Sequence, residues 1–319
     1  MMINNEKGEK KVEKESILEV EGLKKYYNDV KAVDGTSFKV LKGEVFTLLG
    51  PNGAGKTTTL EILEGLKKHD EGTITLFGTK IKNGLPIRLK EKIGVVLQEN
   101  NFIDHLSVVE ILKTFKNFYS KGLEIEEVLK IVSLTEKKNA KVEKLSGGQR
   151  QRLAIGVAII GDPQLIFMDE PTTGLDPQSR RNIWDMIVNL KKLGKTIFLT
   201  THYMEEAEFL SDYIYIMDHG KIIAKGTVQK LISSFGGKRV IEAHLKLDEG
   251  KKTELRELFH DSVEFEDSKV ILKTFELPSI MKKFLDWTEN KQLKIEDLIV
   301  RQSNLEDVFL KLTGRRLRD

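Results

Sequence analysis

The pattern of apolar and polar positions changes period several times along the chain. Residues 17–20 and 36–40 read as short strands, and Val45-Phe46-Thr47-Leu48-Leu49 is an apolar run ending at Gly50, the mark of a buried strand that leads into a glycine-rich turn. Residues 106–119 follow a different rule. Ser107 and Glu110 have capping-box spacing, and Val108, Ile111, Leu112, Phe115, Phe118 and Tyr119 recur at helical intervals. A helix-rich insert therefore begins here and continues through 126–133 and 149–160. Residues 165–168 and 196–200 then return as fully apolar or β-branched strands. Strands alternating with helices imply a parallel sheet covered on both faces.

A second compositional unit starts near Thr227. Its pattern predicts a strand at 240–247, a helix at 253–259, strands at 263–266 and 270–274, a helix at 279–290, a strand at 294–300 and a last helix from Leu305. The order β-α-β-β-α-β is that of a ferredoxin-like split βαβ unit. Ser303 and Glu306 have the spacing of a capping box for the last helix, and Leu305, Val308, Phe309 and Leu312 form a core-facing stripe.

Composition narrows the setting. A length of 319 residues with 39% hydrophobic residues is enough for one large or two modest domains. The 52 basic and 49 acidic residues nearly cancel, leaving a formal charge of +3, so no nucleic-acid role is indicated. The absence of cysteine excludes disulfides and thiolate chemistry. The N-terminal residues 1–16 form a charged tail, without the apolar stretch of a secretion signal. The longest strongly apolar run, 153–161, lies between Arg152 and Asp162 and is about half the roughly 20 residues that cross a bilayer. Membrane association would thus require a partner or the surface.

Candidate chemistry begins at the first buried strand. Gly50-Pro51-Asn52-Gly53-Ala54-Gly55-Lys56-Thr57 matches the phosphate-loop pattern G-x-x-x-x-G-K-[ST] between a predicted strand and a predicted helix. Its glycines let backbone N–H groups converge on phosphate oxygens, Lys56 can reach the β and γ phosphates, and the Thr57 hydroxyl can ligate Mg²⁺. The strand at 165–168 ends in Asp169 and Glu170. Asp169 suits the second metal contact, and Glu170 suits a base that accepts a proton from attacking water. A third strand ends at His202, so three apolar strands terminate in Gly50, Asp169 and His202. Ligands bind at the carboxyl ends of such strands. His202 is thereby a candidate γ-phosphate contact.

Leu145-Ser146-Gly147-Gly148-Gln149, followed by Arg150-Gln151-Arg152, resembles the LSGGQ signature of ATP-binding-cassette (ABC) ATPases. The chain is identified on these motifs as a member of that family over about residues 17–226. The resemblance implies an α/β fold: a cassette with a mixed-sheet core and a helical subdomain at about 100–160, followed by a smaller C-terminal α+β domain at 227–319. By the same resemblance, Tyr27, five residues before Ala32, stacks on adenine, and Gln98 approaches Mg²⁺ and the attacking water. The phosphate loop from Gly50 to Thr58 holds ATP, Asp176 in Gly174-Leu175-Asp176 faces the dimer partner, and His202 is the switch histidine. Physics gives some of these residues a second meaning. Ser146 and Gln149 have capping-box spacing, and Asp176 before Pro177 suits a helix N-cap. Tyr26 stands as an alternative to Tyr27.

The family relationship implies that two ATPase subunits, in the simplest case a homodimer, close around two Mg-ATP molecules. Each site would join one subunit's phosphate loop to the other's signature. It further implies a separate integral membrane permease and a location on the cytoplasmic face of the membrane. The segment from Ser303 to Arg315 resembles the ending of ATPase subunits from drug-resistance and sodium-efflux exporters, which points to export. The alternative is a soluble ABC ATPase of ribosomes or chromosomes. Such proteins carry two cassettes or split one around long coiled coils, whereas this chain has one intact cassette and no sustained heptads.

Overall fold

The computed structural model describes residues 15–82, 84–234 and 237–314. The charged tail up to residue 14, and Arg315 at the end of the exporter-like segment, lie outside the described residues. The chain divides into two compact units, Met1–Thr227 and Val228–Asp319.

In chain order the first unit contains β1 (Ser16–Tyr27), β2 (Val30–Leu41), β3 (Val45–Leu49), α1 (Lys56–Leu63), β4 (Glu71–Leu76), β5 (Thr79–Ile81), α2 (Ile87–Lys90) and β6 (Ile93–Val96). There follow α3 (Val108–Lys116), α4 (Ile125–Ile131), α5 (Gly147–Ile159), β7 (Leu165–Asp169), α6 (Pro177–Lys192), β8 (Thr196–Thr201), α7 (Met204–Leu210), β9 (Tyr213–Asp218) and β10 (Lys221–Gly226). A six-stranded sheet has the order β10-β9-β3-β8-β7-β6. Its strands run parallel except β10, which turns back on β9.

Strands β3, β7 and β8 are buried along their whole length. They separate two cores, because successive side chains leave opposite faces. Val45, Ile166, Met168, Ile197 and Leu199 pack with the helical side, including α3, α4, α5 and α6. Phe46, Leu48, Leu165, Phe167 and Phe198 join Phe38, Tyr215 and Leu60 of α1 on the other. Phe46 and Phe198 have ring centroids 4.8 Å apart within this aromatic cluster.

The second face is completed by an antiparallel sheet, β2-β1-β4-β5, which the sequence pattern did not predict. Only fragments of β1 and β2 are legible, since the β1–β2 register slips repeatedly and breaks the strict alternation that marks a half-buried strand. The expected helix at 106–119 stops at Lys116. Phe118 and Tyr119 continue by N–H bonds to residues three positions back, Phe118 is exposed, and the Tyr119 ring lies over Gly161.

The second unit comprises α8 (Val228–Ser234), β11 (Arg239–His244), α9 (Glu249–Phe259), β12 (Val263–Glu266), β13 (Lys269–Thr274), α10 (Leu277–Asn290), β14 (Asp297–Gln302) and α11 (Leu305–Thr313). The antiparallel sheet order β12-β13-β11-β14 is the split βαβ arrangement that the element order predicts. Two local expectations are corrected. The strand expected at 294–300 starts later, because Ile295 packs into the core before β14 begins. The capping box of α11 uses Asn304 and Asp307, while Ser303 donates its hydroxyl to the Lys238 carbonyl at 2.8 Å. The pair is displaced by one residue because Asp307 also receives the Arg301 guanidinium at 2.6 Å and 3.1 Å.

Candidate functional site

The phosphate loop lies between the end of β3 and α1, as the buried-strand pattern requires. Two of its glycines are dictated by space. At Gly50 a Cβ would stand 2.2 Å from the Met217 carbonyl oxygen. At Gly55, with φ of +103°, it would stand 2.0 Å from the Ala32 carbonyl oxygen. The turn therefore runs too close to neighbouring backbone for any side chain. Lys56 is buried and donates to the carbonyls of Gly50 at 2.8 Å and Pro51 at 3.0 Å, so it folds over its own loop.

Around the loop is a cavity of about 850 Å³, lined by Asn52, Gly53, Gly55, Lys56, Thr57 and Thr58 together with Tyr27, Gln98, Glu170 and His202. Its size falls in the ordinary range for a ligand pocket. Residues far apart in sequence thus converge because β3, β7 and β8 are neighbours in one sheet and end on the same side. Gly50, Pro51 and Ala54 do not line the cavity, and Ala54 packs into the core beneath the loop.

Glu170 is the electrostatic centre. It stands just past the end of β7 with a positive φ of +46°, an unusual backbone for a residue with a Cβ. One carboxylate oxygen lies 3.2 Å from Lys56 Nζ, and the other lies 2.8 Å from His202 Nδ1 and accepts the Thr173 hydroxyl at 3.2 Å. Burial pushes its pKa up, but the His202 hydrogen bond and the Lys56 charge outweigh burial and bring it down to about 2. An ionised carboxylate can only accept, so His202 Nδ1 carries the proton of this contact. Burial also lowers the pKa of Lys56, against the pull of Glu170 and Asp169.

Asp169 is buried and sits 3.4 Å from the Thr57 hydroxyl, which donates to it, and it accepts a second hydrogen bond from Thr200. Burial raises its pKa. The Thr57 hydroxyl and the Asp169 carboxylate are oxygen donors of the kind that suits a hard divalent cation such as Mg²⁺, and Gln98 on the same cavity carries an amide oxygen. Thr173 and Thr200 carried no signal in the sequence. A threonine inside an apolar strand or after a proline looks like ordinary β-branched filling.

The structure separates the two tyrosines. Tyr26 gives its phenol to Asp34 at 2.7 Å, whereas Tyr27 is 40% exposed at the cavity with Lys25 and Lys67 ammonium groups 5.3 Å and 5.6 Å from its ring centre. Gln98 is exposed at the cavity rim, on the stretch after β6.

None of the signature residues lines this cavity among the described residues. Ser146 caps α5: its hydroxyl accepts from the Gln149 N–H at 3.2 Å, and Gln149 Oε1 accepts from the Ser146 N–H at 2.9 Å. Leu145 and Gly148 are buried, while Ser146 and Gly147 are exposed. Asp176 caps α6 through the Ser179 N–H at 2.9 Å, with Pro177 in the first turn, and is likewise exposed. The helix-start readings of both motifs therefore hold, with polar surfaces left open to solvent.

Comparison with known proteins identifies the family of the chain. The family model described as ABC transporter matches residues 33–173. The Nod factor export ATP-binding protein I of Ralstonia nicotianae is 41% identical over 310 residues, covering 95% of each chain. The linearmycin resistance ATP-binding protein LnrL of Bacillus subtilis is 39% identical, covering 95% of this chain and all of its own. Among solved structures, the dimeric post-hydrolysis state of the ATP-binding cassette MJ0796 bound to ADP and Pi superposes with a TM-score of 0.59 at 28% identity, over 66% of this chain and 98% of that one. With its phosphate loop, Asp169–Glu170 strand end and signature-capped helix in one cassette fold, the chain belongs to the ABC transporter ATP-binding family and is an ATP-hydrolysing subunit.

Proposed function

We propose that the 850 Å³ cavity takes Mg-ATP and that Glu170 is the base of its hydrolysis, with the bridge from Lys56 through Glu170 to His202 as the observation that carries the reading. Tyr27 stacks on the adenine and the backbone from Gly50 to Thr58 surrounds the phosphates. Thr57, Asp169 and Gln98 would hold Mg²⁺, which would neutralise phosphate charge. The Lys56 ion pair and the His202 hydrogen bond also hold the Glu170 carboxylate in its ionised form. Once Lys56 and His202 turn toward phosphate oxygens, Glu170 loses both partners and becomes more basic.

The exposed ends of α5 and α6, carrying Ser146, Gly147, Gln149 and Asp176, support a second copy completing the site. Backbone N–H groups at the start of α5 attract anionic groups, so the γ-phosphate held by one chain would draw the signature of its partner. No helix among the described residues is long and apolar enough to cross a membrane. The load in this reading is a separate membrane-spanning subunit with this chain on its cytoplasmic face, supported by relatives named as the ATP-binding proteins of export and resistance systems. Export is the direction favoured by relatives named for Nod factor export and linearmycin resistance, whose similarity covers 95% of this chain, including the C-terminal unit.

The test uses Glu170→Gln, tagged and purified from detergent-solubilised source cells with Mg-ATP. The expected result is a slow ATPase that accumulates as a dimer and brings down a multi-spanning membrane protein in fixed ratio. Lys56→Ala should abolish hydrolysis. A fast, monomeric Glu170→Gln would place the base elsewhere, and ribosomal or DNA-associated partners would replace the transporter reading with the soluble one.

A further inference from the structure

Outside the catalytic cavity, one buried carboxylate occupies a position the mechanism above does not use. Glu206 lies on α7, four residues past His202, and is fully buried. Its Oε1 accepts the Thr172 hydroxyl at 2.8 Å and the Trp184 indole N–H at 3.0 Å. Three segments are joined at one atom. Thr172 follows Glu170 by two residues, Trp184 belongs to α6, which Asp176 caps, and Glu206 itself follows the switch histidine.

The second oxygen, Oε2, is buried with no donor in close geometry, although the Thr201 hydroxyl, one residue before His202, also acts on this carboxyl as a hydrogen-bond donor. Nearby, Arg180 on α6 has a buried Nε without an acceptor. A buried donor left without an acceptor is costly, so the Arg180 Nε has reason to find one. Burial raises the pKa of the Glu206 carboxyl, while the hydrogen bonds from Thr201, Thr172 and Trp184 and the Arg180 charge favour its ionised form. The guanidinium instead lies over the Tyr203 ring, 4.4 Å from its centre, and that ring centre is 4.1 Å from the centre of the His202 ring. A run of ring contacts, the second of them tilted by 42°, thus leads from Arg180 through Tyr203 to His202. A carboxyl on α7 and a guanidinium with an unpaired buried Nε on α6 thus face each other's charge on the two elements whose motion a closing site would have to coordinate.

We infer that Glu206 is a positioning residue: its carboxylate ties the segments behind His202 and Glu170 to α6, and it captures Arg180 when the nucleotide site closes. The inference rests on the ATPase reading above. Capture of Arg180 would release its contact with the Tyr203 ring and let His202 turn to the phosphate as α6 settles. Closure at the exposed Asp176 end of α6 would reach the switch histidine through this pair. Neither Glu206 nor Arg180 touches substrate in this scheme.

The experiment compares full-length wild type, Glu206→Gln, Arg180→Ala and the double variant by steady-state ATPase kinetics and thermal melting, with ATP-driven dimerisation followed in the Glu170→Gln background. Gln keeps an acceptor for Thr172 and Trp184 but removes the charge that draws Arg180. Each single change should lower kcat about tenfold or more with KM within about twofold, because small misplacements of reacting groups have effects of that size. The double variant should be no slower than the slower single one. Melting of Arg180→Ala should stay near wild type. Wild-type kcat in Arg180→Ala, or losses that multiply in the double variant, would overturn the coupling. Should Glu206→Gln fail to fold, the half-buried Arg180 decides alone, because loss of kcat at normal stability supports the pair and normal kcat refutes it. Wild-type enzyme without ATPase activity, or hydrolysis by Lys56→Ala at the wild-type rate, would instead sink the functional reading itself.

Discussion

Glu64 offers a direct measurement of what the interior beneath the nucleotide site does to charge. It closes α1, is 6% exposed, and neither carboxylate oxygen has a hydrogen-bond partner. Burial, followed by the nearby Asp169 and Glu61 charges, raises its pKa from 4.5 to about 8. The acid therefore keeps its proton at neutral pH. Its folded-state value lies above the unfolded one, so folding takes up a proton. The stability tied to that proton is complete below the unfolded value and is lost as pH rises through the folded one. Across the window from 4.5 to about 8, each pH unit removes about 1.4 kcal/mol, or about 5 kcal/mol in all. Glu64→Gln resembles the protonated acid and cannot titrate. The difference in unfolding free energy between the variant and wild type should therefore grow with that slope and level off above about pH 8, since other titrating groups cancel. The chain has two tryptophans, Trp184 in the first unit and Trp287 in the second. Urea unfolding in a Trp287→Phe background would leave Trp184 fluorescence to report on the first unit alone. Parallel pH profiles for the two proteins between pH 5 and 8.5 would refute the reasoning and show that Glu64 finds a donor or water.

Two further predictions concern the nucleotide cavity. Tyr27→Ala should weaken ATP binding about tenfold or more, the effect of losing one aromatic stacking platform of about 1–3 kcal/mol, while Tyr26→Phe should leave it within about twofold. Fluorescent-nucleotide titration separates them, and equal losses would contradict the assignment of Tyr27. Gly55→Ala combines an unfavourable positive φ with a clash against the Ala32 carbonyl, so the loop must move. Nucleotide binding should fall below detection in the same titration, and retained affinity would mean that the loop tolerates displacement.

Much of the site was legible in the sequence because its motifs are local. A phosphate loop needs a buried strand, glycines where backbone crowds backbone, and a helix start, and all of them fall within residues 45–63. The capping boxes at Ser107 and Ser146 were equally legible, since three-residue spacing is their whole geometry. The box at Ser303 was not, because the choice between Ser303 and Asn304 depends on which carboxylate Arg301 holds. Tyr26 and Tyr27 could not be separated by spacing alone either. Their distinction lies in Asp34, a hydrogen bond across a strand pair.

What the sequence determined by itself was the set of candidate reacting groups and the elements with a strong local period, since both follow from residue type and short-range pattern. What only the tertiary structure decided was proximity. Strand order brings Lys56, Glu170 and His202 within bonding distance although they lie up to 146 positions apart in the chain. The same packing buries Glu64 and Glu206, whose charges any surface helix would have tolerated unnoticed. Periodicity records which face of an element turns inward. The groups waiting on the far side of the sheet are set by long-range packing, and so are the pKa shifts and the unpaired Arg180 Nε that packing creates.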